Sequence, residues 1–154
     1  TNGYFSESFY VAGMLHDIGS LVIYNKSPIK AQEALARSRN ENENLFKSES
    51  KIFGFDHADV GGALLDAWKL PRPLVEAVSY HHYPSAATTD KKLTAVVHLA
   101  DVMAYEMQYM GSGESFVPTI DPEAMKELGI LKTYLNGIME NIGDTIDDTI
   151  SMFL

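Results

Sequence analysis

The 154-residue chain is 45% hydrophobic, carries 12 Lys and Arg against 21 Asp and Glu for a net charge of −9, and has no cysteine. It is long enough for one compact domain with a real core and too short for two comfortable ones, so residues 1–154 are expected to form a single domain. The acidic balance argues against a nucleic-acid backbone as partner, and the lack of thiols excludes disulfides and thiolate zinc sites, so any metal must use imidazole and carboxylate. No apolar run is long enough to cross a bilayer and no secretory leader pattern is present, which makes a soluble, cytoplasmic protein without membrane contact the expectation. A small anion held by a metal escapes the charge objection, because the ion supplies local positive charge.

Ser6 and Ser8 are candidate caps of a first helix reaching about Tyr24, with Phe9, Met14, Leu15, Leu21, Val22 and Ile23 apolar. Gly13 and Gly19 weaken it, and a break is expected near Gly19. Within it, the adjacent His16 and Asp17 interrupt an apolar run where polar groups need partners. Ser27-Pro28 opens a second helix with a narrow apolar face (Ile29, Ala31, Ala34, Leu35, Ala36), stopping in the polar run Ser38 to Asn44. Leu45 to Phe53 reads as a short amphipathic helix ended by Gly54. Asp56 and Asp59 then resemble an N-cap with a reciprocal acid, starting a helix from His57 to about Lys69 with Val60, Leu64, Leu65 and Trp68 inward.

Gly61-Gly62 let another backbone or a ligand approach closely. Leu70-Pro71-Arg72-Pro73 forces a turn, and Leu74 to Tyr80 delivers His81 and His82 at a helix end. After the polar loop Pro84 to Asp90, Leu93 to about Met110 is a long apolar helix central to the core, with Met103, Met107 and Met110 as packing residues. Gly111 to Thr119 is a connector, and Asp121-Pro122-Glu123 opens a short helix closed by Gly129. Ile130 to Leu154 spaces Leu131, Leu135, Ile138, Met139, Ile142, Ile146, Ile150 and Phe153 as a terminal helix or helix pair, weakest at Gly143. Asp144, Asp147 and Asp148 read as a solvated face. With no strand alternation and no repeat, the class is all-α, a compact multi-helix bundle.

His16, Asp17, His57, His81, His82, His98 and Asp101 can close into one metal site, one hydrogen-bonded core network, or neither. His57 lies in the first turn of its helix, where the positive dipole end favours a neutral, metal-binding ring. His81 and His82 lie near a helix C-terminus, where the dipole favours protonation and a surface position remains open. His98 and Asp101 share a face, so Asp101 is expected to satisfy His98 locally.

The order His16-Asp17, His57, His81-His82, Asp101 resembles the ligand sequence of the HD superfamily of metal-dependent phosphohydrolases. It is closer still to the HDOD domain, the HD-related output domain of bacterial signal-transduction proteins. The stretches that carry the likeness are "AGMLHDIGSLVI", "FGFDHADVGGALLDAWKLP", "LVEAVSYHHYP" and "VVHLADVMA". The likeness covers Phe9 to about Met110 (9–110), leaving 111–154 as a C-terminal helical extension. It implies a metal set of His16, Asp17, His57, His81, His82 and Asp101, holding one or two divalent ions (Fe, Mn, Zn, Ni or Mg).

Two departures shape the functional expectation. Hydrolases of the HD-GYP group carry Lys after "HDIG" and a GYP-containing extension after the His pair, whereas here Ser20 takes the Lys position and "HHYPSAATTD" lacks the extension. The superfamily also draws an acidic or His ligand from an upstream helix, for which Glu7 is the one candidate. HDOD domains usually have a helical half before the "HD" helix, so the chain resembles the C-terminal part of such a domain. The implied function is a regulatory signalling module, without catalytic residues of its own. It would act through a signalling protein partner or a small anionic ligand such as a nucleotide. A metal-dependent phosphohydrolase is the alternative.

Overall fold

The computed structural model describes residues 2–107 and 116–152, and the side chains within them apart from those of 2–6, 136 and 147–150. The regular structure of these residues is helical throughout: α1 (Asn2–Leu15), α2 (Ile18–Lys26), α3 (Pro28–Glu41), α4 (Leu45–Phe53), α5 (His57–Ala67), α6 (Arg72–Ser79), α7 (Lys91–Glu106), α8 (Pro122–Leu128) and α9 (Lys132–Ser151), with a short 3-10 turn at Pro84–Ala86. The all-α class stands.

Most boundaries follow local chemistry. Pro28 sits in the first turn of α3, and the left-handed Gly54 (φ 84°) and Gly129 (φ 64°) terminate α4 and α8. Asp56 and Asp59 form the expected reciprocal box at the start of α5: Asp59 N–H donates to Asp56 Oδ1 (3.0 Å) and Asp56 N–H to Asp59 Oδ2 (3.2 Å). Asp90 caps α7 by accepting from Leu93 N–H at 3.0 Å.

The first helix departs from expectation. It begins at Asn2, so Ser6 and Ser8 lie inside it, while the break expected near Gly19 comes just before it, at His16-Asp17 between Leu15 and Ile18. Gly19 is a contact point. A Cβ there would collide with the carbonyl oxygen of His57 and stand 2.7 Å from the Gly61 nitrogen. Gly61 and Gly62 do the same against α6, where a Cβ would run into Val78 and Ser79 respectively. Gly19 thus lets α2 pack its backbone against that of α5, and Gly61 and Gly62 make room on α5 for the Val78 and Ser79 side chains of α6.

Other corrections are local. Trp68 ends α5 but is 56% exposed, because the turn at Lys69 (φ 58°) carries the chain away before the apolar face is covered. α9 runs through Gly143 without a break, and Leu131 precedes it and is exposed. Met110, most of the 111–119 connector, Phe153 and the side chains of Asp147, Asp148 and Ile150 lie outside the described residues.

α1, α6 and α7 share a core of Ala12, Ala77, Leu93 and Val97 under Phe9 and Leu74. Leu65, Val75 and Val78 join α5 to α6 beneath Leu15 and Ile18, the residues flanking the break. Leu99, Met103 and Leu135 tie α9 to α7, with Met125, Leu128 and Ile130 beside them. The polar break is therefore clamped on an apolar base.

Glu76 fixes the connection from α6 to α7. Only 2% exposed, it accepts from the N–H groups of Thr88 (2.7 Å) and Thr89 (2.8 Å), from Thr88 Oγ1 (2.9 Å) and from Arg72 Nε (3.2 Å). Burial pushes the carboxyl upward, but the bonds from Thr89 and Thr88 outweigh it and bring it down to about 2. A pKa lowered on folding from 4.5 contributes stability that is whole above pH 4.5 and is lost as pH falls towards 2.

Acid titration of the unfolding free energy is therefore expected to fall across this window in the native chain and to flatten there in Glu76→Gln, which is less stable at neutral pH. In thermal melts, Gly19→Ala is expected to cost ~3 kcal/mol by forcing α2 off α5. Gly137→Ala, with open space at its Cβ in the middle of α9, is expected to stabilise by ~0.5–1 kcal/mol. Equal effects of the two substitutions would remove the close-packing account.

Candidate metal centre

The break between α1 and α2 frees two adjacent side chains to reach one point. His16 follows α1, and its Nδ1–H donates to the carbonyl of Gly13 at 2.7 Å, one of the acceptors a helix end leaves open. His81 follows α6 and repeats the device, with Nδ1–H donating to Val78 O at 2.7 Å. In both rings the bond aims Nε2 inward, where each Nε2 is buried without a hydrogen-bond partner.

His57, at the start of α5, donates from Nδ1 to Glu49 Oε2 at 2.6 Å, and the same oxygen accepts its backbone N–H at 2.9 Å. Its Nε2 lies 2.8 Å from His82 Nε2. His82 is stacked on Phe46, with centroids 4.2 Å apart.

Asp17 stands between these rings. It occupies the N-cap position of α2 yet makes no capping bond, so its carboxylate is available elsewhere. Oδ1 lies 3.3 Å from His57 Nε2 and 3.7 Å from His81 Nε2, while Oδ2 lies 3.4 Å from His16 Nε2. Asp101, on α7, places Oδ1 3.6 Å from the same His16 nitrogen. His16, Asp17, His57, His81, His82 and Asp101 thus meet at one centre.

The donor set suits a cation. Ring nitrogens of His57, His81 and His82 fall within 4.8 Å of one another. Neighbouring ligands of an ion bound at roughly 2.0–2.1 Å stand about 3 Å apart or more, close to the separations seen here. Two buried nitrogens without partners are costly as they stand, and bound cations would satisfy their lone pairs. Nδ1–H bonds that fix tautomer and ring direction are the usual outer support of metal-bound imidazole.

A model of the HDOD domain matches residues 2–84, more than half of the chain. The chain belongs to the HDOD family. An uncharacterised protein of Treponema pallidum (strain Nichols) is 32% identical over 97 residues, covering 60% of this chain and 18% of that protein. A crystal structure from Shewanella amazonensis SB2B, of a protein provisionally named a phosphohydrolase, superposes with a TM-score of 0.65 at 24% identity. It covers 90% of this chain and 50% of that one, and the likeness is one of fold. The chain thus spans half or less of the length of these relatives. The HDOD match ends at Pro84, so Asp101 enters the centre from beyond it.

Two residues behave differently from the sequence reading. His98 does not pair with Asp101: its Nδ1–H donates to His81 O (2.7 Å), and its Nε2 accepts the N–H of Asp121 (2.9 Å). Both nitrogens are satisfied, so His98 holds the His81 backbone in place, and Asp101 is left to face His16. Glu7 is exposed on α1, and the buried acid beside the histidines is Glu49, 1% exposed on α4. Its signal was a Glu in line with Leu45, Phe46, Ile52 and Phe53 on the apolar stripe of a helix.

The helix-end electrostatics are also reversed by nearer charges. Burial works against protonation of His57, but Asp17 and Glu49 raise its pKa well above the ordinary value, overriding the half-charge of the α5 terminus. His16 is likewise pushed against charge by burial and brought up to about 9 by Asp101 and Asp17. Burial, then the charge on His57 and His16, takes His81 down to about 4, and burial with the neighbouring rings holds His82 well below its usual value. Asp17 is kept far below the carboxylate range, since its bonds and charges from His57 and His16 exceed the burial penalty. Without an ion, the protonated His16 and His57 rings face the carboxylates of Asp17, Asp101 and Glu49, and an entering cation displaces those protons.

Glu49 draws the His57 proton towards Nδ1 and strengthens Nε2 as a donor. Glu49→Gln is expected to lower affinity for an added divalent cation by roughly 10–100-fold in a calorimetric titration, with helical content kept. An unchanged affinity would show that the Glu49–His57 bond serves packing alone.

Proposed function

We propose that the chain is a regulatory HDOD module built around one or two divalent cations, acting through a signalling partner or a small anionic ligand with little or no hydrolase turnover. The observation that carries the cation is the convergence of the unpartnered Nε2 atoms of His16 and His81 on Asp17. Its two oxygens face different groups, His57 and His81 on one side and His16 on the other, so Asp17 would hold a cation together with either group. His82 would complete the first group and Asp101 the second. Imidazole and carboxylate donors suit Fe, Mn, Zn or Ni, and Mg less well.

The regulatory half of the reading rests on what the centre lacks. Ser20 stands where hydrolases of the HD-GYP type carry Lys. With a cation bound, the Nε2 atoms of His16 and His81 would be taken up by the ion and their Nδ1–H groups are held by carbonyls, which would leave neither ring as a proton donor to a leaving group.

A second reading, metal-dependent phosphohydrolase, is favoured by the shared fold with the Shewanella protein and by the position of Asp17 between two groups of ligands. A bound cation supplies Lewis acidity and charge neutralisation at a phosphoryl group. Asp17 and Asp101 would hold it, and His57, fixed by Glu49, would keep the centre in register.

Elemental analysis of protein purified without added metal is expected to find at least one transition-metal ion per chain. Asp17→Ala is expected to lose it while the far-ultraviolet circular dichroism remains helical. Assays with simple phosphodiesters and phosphomonoesters are expected to show no metal-dependent turnover. Robust turnover by the native chain, abolished in Asp17→Ala, would decide for the hydrolase.

A further inference from the structure

α9 is 20 residues long, yet its seat on the rest of the chain is narrow. Leu135 packs with Leu99 and Met103 of α7 and Met139 lies beside them, but Leu135 is the one fully buried side chain among those described on α9. That is slight support for this sequence. Gly137, Gly143 and the β-branched Ile138, Ile142, Thr145 and Ile146 are weak helix formers, and a helix of such composition is held by packing and not by propensity.

An apolar groove of about 360 Å³ runs between α7 and α9, with Leu99, Met103 and Met107 on one wall and Ile138, Ile142 and Ile146 on the other. A single deleted core side chain leaves a cavity of roughly 150 Å³, so the groove takes about two or three side chains of that kind. Every side chain lining it is apolar, whereas a site for a small molecule needs a few polar groups to orient what it binds. The groove is therefore shaped for an apolar ridge of protein.

The described surface presents such a ridge on the same helix. Tyr134, Ile138 and Ile142 follow one another at four-residue steps and are 65%, 37% and 40% exposed, and Leu131 is exposed just before them. Ile138 and Ile142 belong to the ridge and to the groove wall at once. A surface that is both ridge and groove is self-complementary, which is what a two-fold interface between identical chains requires. The charges of α9 select the direction. Lys132 stands at its start and Glu140 and Asp144 in its second half, so an antiparallel pair lays each acidic half along the partner's basic start, while a parallel pair sets like against like.

We infer that this face binds a second copy of the chain, the two α9 helices running antiparallel about a two-fold axis near Ile138, the middle of the ridge. Ile138 then meets the partner's Ile138, Tyr134 meets the partner's Ile142, and each ridge closes the mouth of the other groove. The pairing goes beyond the cation reading and does not depend on it.

Sedimentation equilibrium of the full chain from micromolar to sub-millimolar concentration is the first test. The native chain is expected to populate a dimer, and Ile138→Glu, which sets two carboxylates at the axis, to weaken it about tenfold or more. Because Ile138 also lines the groove, Tyr134→Ala is the second variant: its ring is exposed in the single chain, so the helical content is kept while association weakens several-fold. The chain has no cysteine, so single replacements report the geometry directly. Ile138→Cys is expected to cross-link with itself under mild oxidation, and Tyr134→Cys with Ile142→Cys when the two are mixed, whereas Gln32→Cys, exposed on α3, stays uncoupled. A chain that remains monomeric over the whole range overturns the inference and leaves the groove to another segment or a different partner. A dimer that neither variant weakens, or one in which Gln32→Cys couples as readily as Ile138→Cys, overturns it as well. Tyr134→Cys that couples with itself and not with Ile142→Cys overturns the antiparallel arrangement.

Discussion

The carboxylate of Asp17 is the constraint on which the centre depends. It has left the N-cap of α2 to lie between His57, His81 and His16, so the structure forgoes a capping bond worth about 1 kcal/mol in exchange for charge balance in a buried site. That choice explains the break in the first helix. In a continuous helix, residues 16 and 17 would point about 100° apart, and the turn between Leu15 and Ile18 lets both reach the same rings. The apolar floor of Leu15, Ile18 and Val78 holds the turn in place from below.

Geometry at this scale requires helices that cannot drift, and the glycines provide it. Gly19 brings the α2 backbone against the His57 carbonyl, one residue pair below the Asp17–His57 contact, so the distance between these two groups is set by backbone contact and not by flexible side chains. Gly61 and Gly62 seat the Val78 and Ser79 side chains of α6, the helix that presents His81 and His82, closely against α5. From the other side, Glu76 pins Thr88 and Thr89, and His98 pins the His81 carbonyl. His16, His57 and His81 are thus each oriented twice, by the bond at Nδ1 and by the backbone that carries the ring, while His82 is held by its stacking on Phe46.

Much of this was legible in the sequence because it is written in local signals. Pro28, Gly54, the Asp56–Asp59 box and Gly129 each act within one turn, and each sits where the chain changes direction. The histidines and aspartates were legible by their order. What could not be read depends on distance between helices. Gly19 looks like a weak link in one dimension and is a contact in three. The dipole arguments for His57 and His81 used only the helix each residue belongs to, whereas carboxylates from other elements and burial decide both charges. Asp101 was paired with His98 because i and i+3 face one way, yet the elements around them offered each a better partner: a fixed carbonyl for His98 and a buried ring nitrogen for Asp101.

Glu49 shows why a polar residue on an apolar stripe is informative. A buried carboxylate is tolerated only with bonds of its own. Here it has two, both to His57, from the ring and from the backbone N–H at the start of α5. α4 therefore reaches the centre at its middle through Glu49, which holds a ring, and at its start borders, through Asn44 and Lys47, a polar cavity beside it. Phe46 lies between these groups and stacks on His82, so a change in what fills the cavity would be felt at a ring within 2.8 Å of His57. A helix that touches both the histidine rings and the space beside them is physically placed to couple the two.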